Sequence, residues 1–98
     1  MSAPGIRWRA APGLRLCRWP GEESCACFHA PSGDLHLLEA AAGRLLAWLL
    51  EDGPQPAASL ARRLEADFAA EPGLDVAAWT EACLQRLARL HLVHRLPG

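Results

Sequence analysis

Apolar residues recur along this chain with two different spacings, and the change from one to the other falls at Glu39. Before it the spacing is two, the period of a strand with one buried side. Leu14 to Trp19, LRLCRW, alternates Leu14 and Leu16 with Arg15, Cys17 and Arg18, and predicts a strand stopped by Pro20 and Gly21. Ser24 to Ala30, SCACFHA, predicts a second strand with Cys25, Cys27 and His29 on one face and Ala26 and Phe28 on the other. The run Ala30-Pro31-Ser32-Gly33-Asp34 carries turn chemistry, so Leu35 to Leu38 should return as the third strand of a hairpin. Leu35 and Leu37 fall on one face of it, His36 and Leu38 on the other. A strand with apolar groups on both sides is either covered twice or has one side waiting for a partner, and the pattern leaves both readings open.

From Glu39 onward the spacing becomes three and four. Ala42, Leu45, Leu46, Leu49 and Leu50 make one broad apolar helix face, with Trp48 outside that stripe, free to cover the rim of the sheet. Gly53 and Pro54 should end this helix. A second helix should begin near Pro56 and carry Leu60, Leu64 and Phe68 at intervals of four. Glu71-Pro72-Gly73 breaks the chain, and Asp75 is placed to cap a third helix running to about Leu90. Its seam is Val76, Trp79, Cys83, Leu87 and Leu90, widened by Leu84, with Arg86 and Arg89 near the C-terminal end. Leu92 to Leu96 reads as a short closing extended segment. Residues 1–13 hold two Pro and two Gly around Ile6 to Arg9, so they predict a flexible arm containing at best a short edge strand and fraying at Met1 to Gly5. Residues 14–96 then form one α+β domain, a three-stranded antiparallel sheet followed by three helices, arranged like a winged helix-turn-helix.

Composition narrows the function classes. A chain of 98 residues, 51% hydrophobic and 21% charged, suits one compact core and no large internal cavity. The net charge of −1, with acids and arginines scattered, speaks against nucleic acid and anionic membranes as partners. The N-terminal stretch lacks the apolar core of a signal peptide, and Leu45 to Leu50 is too short an apolar run to span a bilayer, so a cytoplasmic location is expected. Cys17, Cys25, Cys27 and Cys83 are then free thiols.

Candidate chemistry is sparse. Cys25-x-Cys27-x-His29 offers two thiols and an imidazole to zinc, yet Cys17, His36, Cys83, His91 and His94 supply no second cluster at ligand spacing, so no metal is expected. A cysteine nucleophile with His29 or His36 as base has nothing to single it out, and no phosphate loop, paired carboxylates or nucleophile elbow is present. No catalytic residue and no cofactor is expected. Trp8, Trp19, Trp48 and Trp79 serve either as core or as interface anchors. A winged-helix DNA reader is a rival, although its recognition helix would offer only Arg86 and Arg89 against Glu81.

The segments SGDLHLLEAAAGRLLAWLLEDG, SLARRLEADF and CLQRLARLHLVHR together resemble the PqqD family over Leu14 to Arg95. The N-terminal Trp segment with FHAPSGDLHLL resembles, more narrowly, the PqqD-type peptide chaperones of the HPr-related A systems. The resemblance implies a non-catalytic adaptor that binds the leader of a ribosomally synthesised precursor peptide and presents it to a modifying enzyme, in this branch an HPr-kinase-related protein. It further implies strand addition beside Leu35, His36, Leu37 and Leu38, with Trp79, Cys83, Leu84, Arg86 and Leu87 of the third helix as the other wall. One departure is that the second helix begins with Pro56 and Ser59 and so lacks a capping box. The open edge could equally accept a second copy, so the expected state is a monomer or a homodimer.

Overall fold

The computed structural model describes residues 6–18, 24–67 and 73–97. Trp19, Phe68, the Glu71-Pro72 break and the expected fraying at Met1 to Gly5 lie outside the described residues. The chain runs β1 (Arg7–Ala10), β2 (Leu14–Arg18), β3 (Cys25–His29), β4 (Asp34–Leu38), α1 (Ala40–Asp52), α2 (Ala57–Asp67), α3 (Val76–Arg89) and β5 (Val93–Leu96). The expected α+β architecture is present, with β2, β3 and β4 in one antiparallel sheet followed by the three helices.

The two-residue period fixes which side of that sheet meets the helices. Leu14, Cys25, Cys27 and Leu38 join the core, and the register pairs Cys25 with Leu38 and Cys27 with His36. Gly43 of α1 lies against Cys25, so close that a Cβ there would fall 2.4 Å from the Cys25 Sγ. The absence of a side chain thus sets how near α1 can come to β3. α1 ends as its sequence predicts, with Gly53 at a φ of 81° and its N–H donating to the Leu49 carbonyl.

Two expectations are corrected. Residues 1–13 are not a loose arm in their second half, because β1 pairs antiparallel with β5 from Arg7↔Leu96 to Ala10↔Val93. Trp8 exchanges backbone hydrogen bonds with Gln55 at 2.8 and 3.0 Å and is only 2% exposed. Burying an indole of that size is worth several kilocalories, on the order of 3–5 kcal/mol by truncation, enough to tie down a short strand that local propensity alone would leave frayed. Trp48 likewise does not sit at the rim of the sheet. It is buried in the core cluster, its open ring face covered by the Arg63 guanidinium at 4.5 Å. Arg63 also binds Asp52 at 2.6 Å, and Gln55 donates to the Trp48 carbonyl at 3.2 Å. The α1 stripe is wider than its leucines suggest because β1 and α2 cover a second side of the helix.

α3 begins at Asp75, whose carboxylate accepts from the Ala78 N–H at 3.0 Å. It ends on a left-handed residue. His91 has a φ of 63°, its N–H bonds to the Ala88 carbonyl, and the Leu92 N–H bonds to the Leu87 carbonyl. That is a Schellman motif with histidine where glycine is usual, closed by the fully buried pair Leu87 and Leu92. The turn sends the chain directly into β5.

Candidate functional site

The β3–β4 hairpin is stiffened at its tip. Gly33 takes a φ of 75° and its N–H donates to the His29 carbonyl at 2.8 Å. The Ser32 hydroxyl sits 2.7 Å from the His29 Nδ1 and accepts from the Asp34 N–H at 3.3 Å. His29 is therefore a brace of the turn, and the register of β4 is fixed from its first residue.

Among the described residues β4 is hydrogen-bonded only to β3, so it forms one edge of the sheet. Alternate residues along it turn their N–H and C=O groups away from β3, as in any antiparallel edge. Its outer face is apolar and open, with Leu35 66% and Leu37 74% exposed, and Phe28 of β3, opposite Leu35, 40% exposed. Covering each of these leucines is worth roughly 1.5–3 kcal/mol if complete. The other edge differs. β2 presents exposed Arg15 and Arg18, and charge on an edge discourages strand pairing.

At its C-terminal end β4 meets α3 through an ion pair. Glu39, immediately after β4, binds the Arg86 guanidinium, and that bond raises Arg86 above the ordinary guanidinium value. Spending its carboxylate there leaves Glu39, at the N-cap of α1, with no side-chain capping bond. Arg86 also donates to the Cys83 Sγ at 3.7 Å. Beside this junction lies an open groove of about 290 Å³ lined by Trp79, Ala82, Cys83, Arg86 and Arg89. Burial pushes the Cys83 thiol up, against the opposing pull of Arg86, so at neutral pH it is an uncharged wall of the groove.

The expected binding residues fall into three groups. Leu35 and Leu37 are exposed on β4, and Trp79, Cys83 and Arg86 line the α3 groove. His36 is half-buried on the inner face of β4. Leu38, Leu84 and Leu87 are core residues, the last two without exposed surface, and the expectation that Leu84 and Leu87 form side-chain pockets is corrected. They point into the packed interior, and the groove is lined instead by another face of α3, the stripe Trp79, Ala82, Arg86 and Arg89, spaced three, four and three. That spacing was readable as a second helix face, but Ala82 and Arg89 carry too little hydrophobicity to stand out from a solvated surface.

The Cys25-x-Cys27-x-His29 run divides between the core, which takes both cysteines, and the hairpin turn, which takes His29. Cys25 and Cys27 are buried in the core, where desolvation pushes both thiols up. Among the described residues no group of three or more His, Cys, Asp and Glu is placed to hold a metal ion, and no helix is long and apolar enough to cross a membrane.

No family model matches this sequence, and no curated protein matches it either. A solved structure shares the fold. The chain is similar to TbiB1 in complex with the TbiA(beta) leader peptide, with a TM-score of 0.69 and 15% sequence identity over 88% of this chain and 94% of that one.

Proposed function

We propose that this chain is a non-catalytic peptide adaptor that takes the leader of a ribosomally made precursor peptide as a further strand along β4. The observation that carries this reading is the edge itself, with Leu35 and Leu37 on its exposed face and the α3 groove opening at its end. Backbone bonds along the edge give affinity, and side chains on either side give selectivity. The shared fold with TbiB1, whose structure contains a leader peptide, supports a leader peptide as the partner. Leu35, His36, Leu37 and Leu38 are the strand that the peptide extends. Trp79, Cys83 and Arg86, joined by Ala82 and Arg89, make the second wall, while Leu84 and Leu87 anchor α3 in the core. The adaptor then hands its peptide to a modifying enzyme in the cytoplasm, an HPr-kinase-related protein by the narrower resemblance.

The test is fluorescence anisotropy with labelled peptides encoded beside this gene. Saturable binding is expected, and Leu37→Pro should abolish it, because proline removes a ladder donor and distorts the edge while Leu37 is too exposed to matter to the core. If no neighbouring peptide binds, the adaptor reading is wrong. Tight, steeply salt-dependent binding to duplex DNA would replace it with the winged-helix reading.

A further inference from the structure

From the lining of the α3 groove we infer that the peptide it accepts is acidic at one position, with an Asp or Glu side chain bound by Arg89 and Arg86. This rests on strand addition at β4 and adds the chemical identity of the residue that faces α3.

Two guanidinium groups and an indole line a groove that would otherwise be made of Ala82 and Cys83. Among the described residues Arg89 has no carboxylate partner, whereas Arg86 is held by Glu39. Glu39 orients Arg86 at the end of β4 and cancels one charge, so the groove keeps the equivalent of one uncompensated cation at Arg89. Arginine presents a planar fork of donors that matches a carboxylate in two parallel hydrogen bonds. Trp79, nearly three turns earlier on the same helix, supplies an apolar wall to the far end of the groove.

The two faces of an added strand alternate. One set of its side chains would lie beside Leu35 and Leu37 and should be apolar. The other set turns to the side of the sheet that carries His36, Leu38 and the α3 junction, where the walls are basic. The complementary peptide therefore has apolar residues at one parity and a carboxylate at the other. The bland account of Arg86 and Arg89 is that both complement the helix dipole from the last turn of α3. That account makes no demand on the peptide, so the two differ in ligand selectivity.

The experiment uses the full chain and the labelled leader peptide of the precursor encoded beside its gene. Each Asp and Glu of that leader is replaced singly by Asn or Gln. One replacement is expected to weaken binding about tenfold against the unaltered protein and less than about twofold against Arg89→Gln. Placing Arg at that peptide position should be tolerated by Arg89→Glu and rejected by the unaltered protein. Arg89 is exposed, and equal thermal midpoints would show that the variants are folded. If every replacement binds within about twofold of the parent, or the leader holds no acidic residue, while Leu37→Pro still abolishes binding, the acidic preference is refuted and strand addition stands. Failure of the unaltered protein to bind the leader at all overturns both.

Discussion

Gly43→Ala tests the packing that aligns the sheet with the helices. The new Cβ would lie 2.4 Å from the Cys25 Sγ and 3.6 Å from its Cβ. The second distance is ordinary contact, whereas the first is more than 1 Å inside the usual approach of non-bonded atoms, about 3.5–4.0 Å. Cys25 is 2% exposed, so its sulfur has little room to rotate away. Overpacking of this kind costs about 1–3 kcal/mol, against a gain of roughly 0.8–1.0 kcal/mol from replacing Gly by Ala within a helix. The net expectation is destabilisation of about 1 kcal/mol, a fall of roughly 4–8 °C in midpoint for a domain of this size. Cys25→Ala alone should also destabilise by about 1 kcal/mol, through lost burial and a small cavity. In the double variant the methyl group introduced at position 43 occupies the space that the sulfur leaves. That variant should therefore be more stable than the sum of the singles by at least about 1 kcal/mol. Urea unfolding followed by tryptophan fluorescence measures all four proteins. Strict additivity, or a Gly43→Ala variant more stable than the parent, would refute the close approach of α1 to β3.

Thr80 is fully buried on α3 and its hydroxyl has no hydrogen-bond partner among the described residues, so Thr80→Val should stabilise by about 1 kcal/mol in the same urea assay. His91→Gly should stabilise by about 1 kcal/mol, by relieving the left-handed residue of the α3–β5 turn. Asp75→Ala should cost about 1 kcal/mol and shorten α3 at its first turn, seen as faster amide exchange at Ala78. Cys25, Cys27 and Cys83 all have thiols raised above the ordinary value of 9.0 by burial. A raised thiol keeps its proton in the folded chain after the unfolded chain has lost its own. Stability is accordingly full below pH 9 and falls as pH rises beyond it, by up to roughly 1.4 kcal/mol per pH unit for each thiol. Urea midpoints at successive pH values measure this, and a flat profile from pH 8 to 10.5 would contradict it.

The strands β2, β3 and β4 and the three helices were legible because each obeys one dominant period and is bounded by its own turn chemistry. Asp75, Gly33 and Gly53 act locally, through dihedral angles and first-turn hydrogen bonds, and local sequence is sufficient to identify them. The candidate site was legible in part. Alternation puts Leu35 and Leu37 on one face of β4 and the helical seam holds Trp79 and Cys83, whereas Arg86 lies outside that seam and is implied as a groove wall only by the family resemblance. Leu84 and Leu87 were misread as groove walls, because a periodic seam does not reveal which of its members are covered by other elements and which remain at the margin.

What the sequence determined by itself, then, is the order of the elements, the hairpin and the two-sided apolar character of β4. Tertiary structure decided the rest. Only pairing across the whole chain joins β1 to β5 and draws Trp8 into the core, since that contact links residues near opposite ends of the sequence. Only packing shows that the unpartnered side of β4 carries Leu35 and Leu37, while Leu38 is covered. The Glu39–Arg86 pair joins residues 47 positions apart, and it brings the end of β4 to the mouth of the α3 groove. Periodicity reports which face of an element is apolar, but which faces stay uncovered depends on burial by distant segments, and that is settled only when the chain closes.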